Sequence, residues 1–151
     1  MGSVTLTEIT QDLRDALASD QALNDWCLAE LGELPTIFVG IDERNKPGLQ
    51  DCPLIIIRPE TIAGGQEQAA IEPVLYVDWG LVNDEITTAD RIREYQGVYQ
   101  SDRMGNLIWN ALRSAGPDYA LSQSDYTLES VRFFPMHVGG MDIKISIPTT
   151  L

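Results

Sequence analysis

The side chain best suited to acid–base chemistry in this sequence is its single histidine, His137. An imidazole titrates near neutral pH, so His137 could act as a general base beside Asp142 or Asp125. It lies, however, between Pro135 and Gly139, two residues that are typical of turns. We therefore predict that His137 is a solvent-exposed loop residue rather than a catalytic base.

Carboxylate pairs occur at Asp42–Glu43 and Asp84–Glu85, both in predicted loops. Adjacent side chains do not converge on one bond, whereas the fold sets the separation of a catalytic acid pair. The sequence has no phosphate-binding loop, Asp-rich calcium loop, Cys-x-x-Cys or Gly-x-Ser-x-Gly motif, and a single histidine argues against a histidine-based metal site. We predict no catalytic residues, no metal and no cofactor, and hence a protein that is not an enzyme.

The two cysteines, Cys27 and Cys52, fit structural positions. Cys27 shares an apolar helical face and Cys52 precedes a strand, so both are predicted to be small core residues. Nothing after Met1 resembles a secretory signal, and apolar runs such as Leu54–Ile57 are far shorter than the ~18 residues that span a bilayer. We expect a cytoplasmic protein whose thiols are reduced.

Two amphipathic helices are predicted at the start of the chain. Thr5 and Glu8 form a capping box, and apolar residues then recur every three or four positions, which predicts a helix from about 5 to 18. Asp20 can cap a second, short helix that ends at Gly32.

Three strands are predicted to follow the helices. Runs of β-branched and aromatic residues over Thr36–Val39, Leu54–Ile57 and Ala70–Val82 favour extended structure. A turn is predicted at residues 63–65, where two glycines follow an alanine. In the third strand, alternate residues are predicted to face opposite sides of a sheet.

The third strand is predicted to lead into a helical region. Thr87 and Asp90 can start a helix, and apolar residues at helical spacing continue until Gly116. Two glycines inside this region, Gly97 and Gly105, are predicted to kink or break it.

The C-terminal part of the chain predicts a hairpin. Alternation of apolar and polar residues over Met141–Ile147 predicts a strand with one buried face, and turn residues over Pro135–Gly140 join it to the extended run Tyr126–Phe134. The element order lacks the βαβ alternation of a parallel sheet. The sequence therefore predicts a single α+β domain, residues 1–151, in which two N-terminal helices and one longer helix pack on one face of a mostly antiparallel sheet of about five strands.

Size and charge limit the possible partners. A chain of 151 residues is long enough for one hydrophobic core. It carries 23 acidic and 10 basic side chains, for a net charge of −13. Binding to a phosphate backbone depends on Lys and Arg, so we expect no sequence-specific nucleic acid binding. Solubility is one explanation of the acidity.

The connection Gly40–Asp51 is the best candidate for contact with another chain. It is polar, contains turn residues and is longer than a hairpin requires, and loops of this length inside compact domains are often functional. We predict that its charged side chains and one leucine bind a neighbouring subunit or another partner: Asp42, Glu43, Arg44, Lys46 and Leu49.

Aromatic side chains and strand edges are further candidates for subunit contacts. Most of the tryptophans, tyrosines and phenylalanines, including the pair Phe133–Phe134, are predicted to be core, and some to lie at interfaces. The third strand and the C-terminal strand are each expected to leave an edge that could pair with another chain.

Four segments together resemble one family of phage proteins: the helix Leu6–Leu17, the strand Cys52–Pro59, the step Gly97–Tyr99 into Met104–Leu112, and the closing hairpin Phe134–Pro148. Over nearly all of its length the chain resembles the tail-terminator, or tail-completion, proteins of tailed bacteriophages and prophages, the group of the lambda minor tail protein U.

This resemblance implies a protein without catalysis that forms a hexameric ring, caps the tail tube, ends its polymerisation and presents a face for head or neck joining. The implied partners are further copies of the same chain, which can be monomeric before assembly, the tail tube protein and a head–neck connector, with no membrane. The implied locations are the host cytoplasm during assembly and the virion tail. Alternatives are another head–tail connector or neck protein, or a small-molecule-binding domain or cryptic hydrolase, which would need a concave pocket with converging polar groups.

Overall fold

The computed structural model describes residues 5–62, 72–116 and 119–146. Within these ranges the chain forms three helices and seven strands, an α+β fold. The elements in order are α1 (Leu6–Ser19), α2 (Gln21–Leu31), β1 (Thr36–Val39), a short 3₁₀ turn (Leu49–Asp51), β2 (Leu54–Ile62), β3 (Glu72–Val82), β4 (Ile86–Ala89), β5 (Ile92–Tyr95), α3 (Gln96–Leu112), β6 (Ala120–Glu129) and β7 (Met136–Ser146).

The caps of the two N-terminal helices are those that the sequence predicts. The Thr5 hydroxyl accepts a hydrogen bond from the Glu8 backbone N–H at 3.1 Å, and the Asp20 carboxylate accepts one from Leu23 N–H at 2.9 Å. Gly32 ends α2 with φ +83°, a left-handed conformation that glycine adopts without strain. Both predicted helices are confirmed.

Five strands form one sheet in the order β1-β2-β3-β7-β6. β1 and β2 are parallel, and all other neighbours in this sheet are antiparallel. The parallel pair requires the long connection between β1 and β2, because the chain must return to the starting end of β1 before β2 begins. The edges are β1 and β6, so the expectation that the third and C-terminal strands leave edges is wrong: both have a neighbour on each side.

The helices pack on one face of this sheet. On β3 the side chains of Leu75, Val77 and Trp79 point to that face and are fully buried, whereas Tyr76 and Asp78 on the opposite face are half-exposed. β7 repeats the alternation, with Met141, Ile143 and Ile145 buried in the same core. The predicted strand alternation and the predicted packing of the helices on one face are both confirmed.

A β-hairpin replaces the first part of the predicted helical region. β4 and β5 pair antiparallel with Ile86 opposite Tyr95 and Ala89 opposite Ile92, so α3 begins only at Gln96. The prediction of a helix from Thr87 onward is wrong because the β-branched residues of β4 favour extended structure, and Asp90, at φ +59°, makes a tight turn.

The glycines of α3 do not break the helix, contrary to expectation, and α3 runs continuously from Gln96 to Leu112. A Cβ at Gly97 would overlap the ring of His137, and a Cβ at Gly105 would overlap the indole of Trp79. Only glycine fits at these two positions, because side chains from the strands pack directly against the helix backbone there. The helix ends at Leu112, before the predicted stop at Gly116.

The C-terminal hairpin is confirmed, but its boundaries differ from the prediction. β6 already begins at Ala120, the reversal occupies residues 130–135, and β7 starts at Met136, so Pro135–Gly140 is not the connection. Gly139 lies inside β7 because the Trp79 indole fills the space above its backbone. The predicted turn at 63–65, the predicted start of the third strand at Ala70 and the last predicted strand residue, Ile147, lie outside the described residues.

Candidate interaction surface

The charged half of the predicted contact loop forms an exposed turn. Asp42 and Arg44 pair with each other, with 3.2 Å between the Arg44 Nε and a carboxylate oxygen, and the Asn45 N–H donates to the Asp42 carbonyl at 3.0 Å. Glu43 and Lys46 are exposed beside them. The structure places these four charged residues at the surface. Asp42 and Arg44 form an ion pair with each other within the same chain.

Leu49 lies in the second half of the loop, apart from that turn. Gly48 N–H donates to the Asp51 carboxylate and Asp51 N–H donates back to the Gly48 carbonyl, both at 2.9 Å. This pair of bonds fixes the 3₁₀ turn and holds the Leu49 side chain 49% exposed at a concave part of the surface.

That concave region is a cleft of about 510 Å³ between the end of α2, the 3₁₀ turn, the end of β3 and Pro135 in the β6–β7 reversal. Its lining combines apolar side chains with the polar side chains of Glu33 and Gln50. The residues used below are Leu31, Glu33, Leu49, Leu81 and Val82. We call it the α2 cleft. The sequence indicates Leu49 as a contact residue, but it does not indicate the walls from the end of α2, the end of β3 and Pro135, which lie far from Leu49 in the chain.

The two cysteines are free thiols in different surroundings. Cys27 is buried in the core, and burial raises its pKa to about 11. Cys52 is half-buried in the lining of the α2 cleft, so the prediction that it is a core residue is wrong. Burial, with the nearby Asp51 carboxylate, raises its pKa to about 11. The thiolate is therefore scarce at neutral pH at both sites, which fits structural cysteines.

Exposed apolar side chains gather next to the α2 cleft. The ring of Phe134 meets the ring of Tyr95 edge-on, with 5.4 Å between centroids, and Ile86 lies opposite Tyr95 in the β4–β5 hairpin. Asn83 N–H donates to the Pro135 carbonyl at 3.0 Å, which ties the start of this hairpin to the β6–β7 reversal. We call this surface the end patch, and it consists of Val82, Ile86, Tyr95, Phe133 and Phe134, all at least 40% exposed.

His137 lies beneath the end patch, and the prediction that it is a solvent-exposed loop residue is wrong. It is fully buried in β7, its Nε2 lies 3.1 Å from the Asn83 carbonyl, and its ring meets Phe134 edge-on at 5.8 Å. Because side chains alternate along a strand, His137 and Asp142 face opposite sides of the sheet, so the two do not form an acid–base pair. His137 instead supports Phe134 and the start of the β4–β5 hairpin.

The open face of the sheet carries a charged network. Arg58 pairs with Asp78 at 2.9 Å and lies over the ring of Tyr76 at 5.2 Å from its centroid. Burial, and then the carboxyl group of Asp125, raise the pKa of Asp142. Asp125, with φ +51°, lies at an irregularity in the β6–β7 pairing.

Among the described residues, the two strands of the β4–β5 hairpin pair only with each other, and both backbone and side-chain hydrogen bonds attach the hairpin to α3. Gln96 Nε2 donates to the Thr87 hydroxyl at 2.9 Å, and the Tyr99 hydroxyl donates to the Glu94 carboxylate. At its tip Ile92 is 56% exposed. This tip is a feature that sequence reasoning missed, because the segment was predicted to be helical.

In residues 5–62, 72–116 and 119–146 no group of three or more His, Cys, Asp or Glu side chains could hold a metal ion. None of the described helices is long and apolar enough to cross a membrane. No protein-family model matches the chain, and no curated protein is significantly similar to it.

Proposed function

We propose that this chain is a phage or prophage tail structural protein of the terminator type. It forms a ring that caps the tail tube, ends its polymerisation and provides the face for head or neck joining. Two things support the proposal: the resemblance of nearly the whole sequence to tail-terminator proteins, and the end patch. The end patch is the observation that carries it.

The end patch suits an assembly protein because it places exposed aromatic rings side by side. Monomeric soluble proteins rarely expose large contiguous apolar surfaces, and aromatic residues are enriched where protein chains meet. Phe134 is 40% exposed and Tyr95 is 46% exposed, although the two rings are in contact. Covering one such ring contributes about 2 kcal/mol to association, so the patch as a whole can hold another protein chain.

The net charge of −13 per copy is also compatible with a tail ring. Acidic side chains that face the lumen of a ring would repel the phosphate backbone of passing DNA, so that the DNA does not adhere to the ring. The exposed carboxylates of α1 and α2 supply such charge.

The proposal is tested by the mass of the purified protein and by its action on tail tubes. Light scattering over a concentration series is expected to give either a closed ring of about six copies or a monomer that assembles only on tube ends. Electron microscopy of polymerising tubes is expected to show that the protein stops their growth. A stable monomer or dimer that leaves tube growth unchanged would overturn the proposal.

A substitution in the end patch sharpens this test. Phe134→Ser removes an exposed ring and should raise the protein concentration needed to cap half of the tubes about 30-fold, which corresponds to about 2 kcal/mol. Val39→Ser, at an exposed position on the edge strand β1, is the matched control and should leave capping unchanged. Circular dichroism of both variants checks that they fold. Equal capping by the Phe134 variant and the wild type would exclude the end patch as the contact surface.

A further inference from the structure

We propose that the tip of the β4–β5 hairpin of one copy inserts Ile92 into the α2 cleft of a second copy. The inference rests on the proposed function, since a ring requires a repeated contact between neighbouring copies. It adds the two surfaces that form the contact.

The hairpin tip has the properties of an inserting element. Ile92 is 56% exposed, so it does not fill a pocket in its own chain. It lies directly after the two-residue turn Asp90–Arg91, and in the part of the chain that the structure describes, β4 and β5 pair only with each other. A two-stranded hairpin is marginally stable by itself, so contact with a second chain would stabilise it.

The α2 cleft has the properties of a receiving site. Its walls include Leu31, Leu49, Leu81 and Val82, and its volume of about 510 Å³ is within the range of clefts that bury a ligand. Leu49 and Val82 are both more than 40% exposed, so apolar surface is available to cover the inserted side chain.

Charge complementarity favours a second copy of this chain as the occupant. Exposed arginines, Arg91 and Arg93, precede and follow Ile92 in the chain, and the structure shows no ion pair for either of them within the described residues. The cleft is bordered by Glu33, which is likewise unpaired within those ranges, and by Asp51 in the adjoining 3₁₀ turn. Two cations that flank an apolar side chain thus match an apolar cleft with carboxylates at its border.

The contact joins two different surfaces, so it repeats head to tail when the second copy does not insert its own hairpin into the cleft of the first. A copy whose cleft is occupied still presents a free hairpin, and a copy whose hairpin is inserted still presents a free cleft. Contacts of this kind close into a ring when the rotation per copy completes a circle.

Two variants test the contact by blocking one half each. Ile92→Asp disables the hairpin and Leu49→Asp disables the cleft, and each should weaken self-association at least tenfold in light scattering, with and without tail tubes. Leu128→Asp, which adds the same charge at an exposed leucine on β6, is the control and should associate like the wild type. Circular dichroism confirms that each variant folds.

Mixing the two disabled variants gives a result that only a contact between unlike surfaces produces. Each variant retains one intact half, so the mixture should form dimers of one Ile92→Asp chain and one Leu49→Asp chain, and nothing larger.

A charge reversal tests the ion pairing between copies. Arg93→Glu should weaken self-association about tenfold, and adding Glu33→Arg in the same chain should restore most of the lost association.

The outcomes separate this inference from the proposed function. Wild-type-like association of both disabled variants, or the absence of self-association with and without tubes, would overturn the hairpin contact. Capping of tubes by those same variants would leave the proposed function in place. If the wild type forms rings that Ile92→Asp abolishes, but these rings do not stop the growth of tail tubes, the hairpin contact is supported and the tail-terminator function is overturned.

Discussion

Single glycines determine how closely α3 approaches the sheet. Gly105 and Gly139 lie on either side of the Trp79 indole, whose N–H donates to the Ser101 carbonyl at 3.0 Å. Gly97 contacts the ring of His137 in the same manner at the start of the helix. The ring of His137 in turn contacts Phe134, so the packing beneath one glycine positions an aromatic residue of the end patch.

Gly97→Ala tests this packing. In an exposed helix the change would stabilise the protein by up to ~1 kcal/mol. Here the new methyl group would overlap a fully buried ring, so we expect a net loss of about 2 kcal/mol in the free energy of unfolding. Urea denaturation monitored by circular dichroism measures the change. Arg103→Ala, at an exposed position on α3, is the control and should shift the free energy by less than about 0.5 kcal/mol. An unchanged or raised stability of Gly97→Ala would mean that His137 does not pack against the helix.

The burial of His137 could not be predicted from the sequence, and the reason is local composition. Pro135 and Gly139 beside it are typical of turns, but Gly139 is required because Trp79 fills the space above it. That requirement depends on a residue in another strand, so no pattern within the segment discloses it. The predicted burial of Cys27 is confirmed, since a helical apolar face is a local pattern.

At the scale of elements, the β4–β5 hairpin determines what the end patch and the proposed contact present to a partner. It carries Ile86 and Tyr95 of the patch, and its tip carries Ile92. The turn at the tip depends on Asp90, whose φ of +59° is left-handed, a conformation that aspartate tolerates better than β-branched residues do.

Asp90→Val should therefore open the hairpin without unfolding the domain. The strained turn costs about 1–2 kcal/mol, which is large for a two-stranded element and small for the core. Amide hydrogen exchange should accelerate about tenfold or more within residues 86–95 and remain unchanged in β3 and β7. Asp90→Gly is the matched control, because glycine adopts positive φ freely, and its exchange should match the wild type. Amide exchange that accelerates equally in the hairpin, β3 and β7 would contradict the expectation that the hairpin opens separately from the sheet.

The elements that could be predicted from sequence are those with local signals. Both N-terminal helices have a side-chain cap and a regular apolar face, and the second half of β7, from Met141 onward, alternates strictly. The β4–β5 hairpin was missed because Ile92 and Tyr95 are three residues apart, a spacing that a helix face also has. Of the five contact residues predicted in that loop, only Leu49 lines the α2 cleft, beside Gln50 of the same loop, since further walls come from the end of α2, the end of β3 and Pro135.

At the scale of the whole molecule, the α2 cleft and the end patch adjoin, because Val82 belongs to both and Pro135 of the cleft follows Phe134 of the patch. One end of the domain therefore has an apolar surface for a partner and a cleft for a neighbour's hairpin. The sheet and its helices fix this arrangement, since β3 ends and β7 begins at this end.

The net charge predicts how assembly depends on salt. Each copy carries a net charge of −13, so copies repel one another over distances up to the Debye length, which falls from about 30 Å at 0.01 M salt to about 8 Å at 0.15 M. Salt also screens the proposed attraction between Arg93 and Glu33. This effect is smaller than the loss of repulsion, because the attraction involves few charges at one contact whereas the repulsion involves the net charge of both copies. We expect self-association to strengthen several-fold over this salt range, as measured by light scattering.

A double variant, Arg91→Gln with Arg93→Gln, removes the attractive cations. It should associate more weakly than the wild type at low salt, and its association should strengthen more when salt is added. Weakening of wild-type association on addition of salt would show instead that direct ion pairs outweigh the repulsion between whole copies.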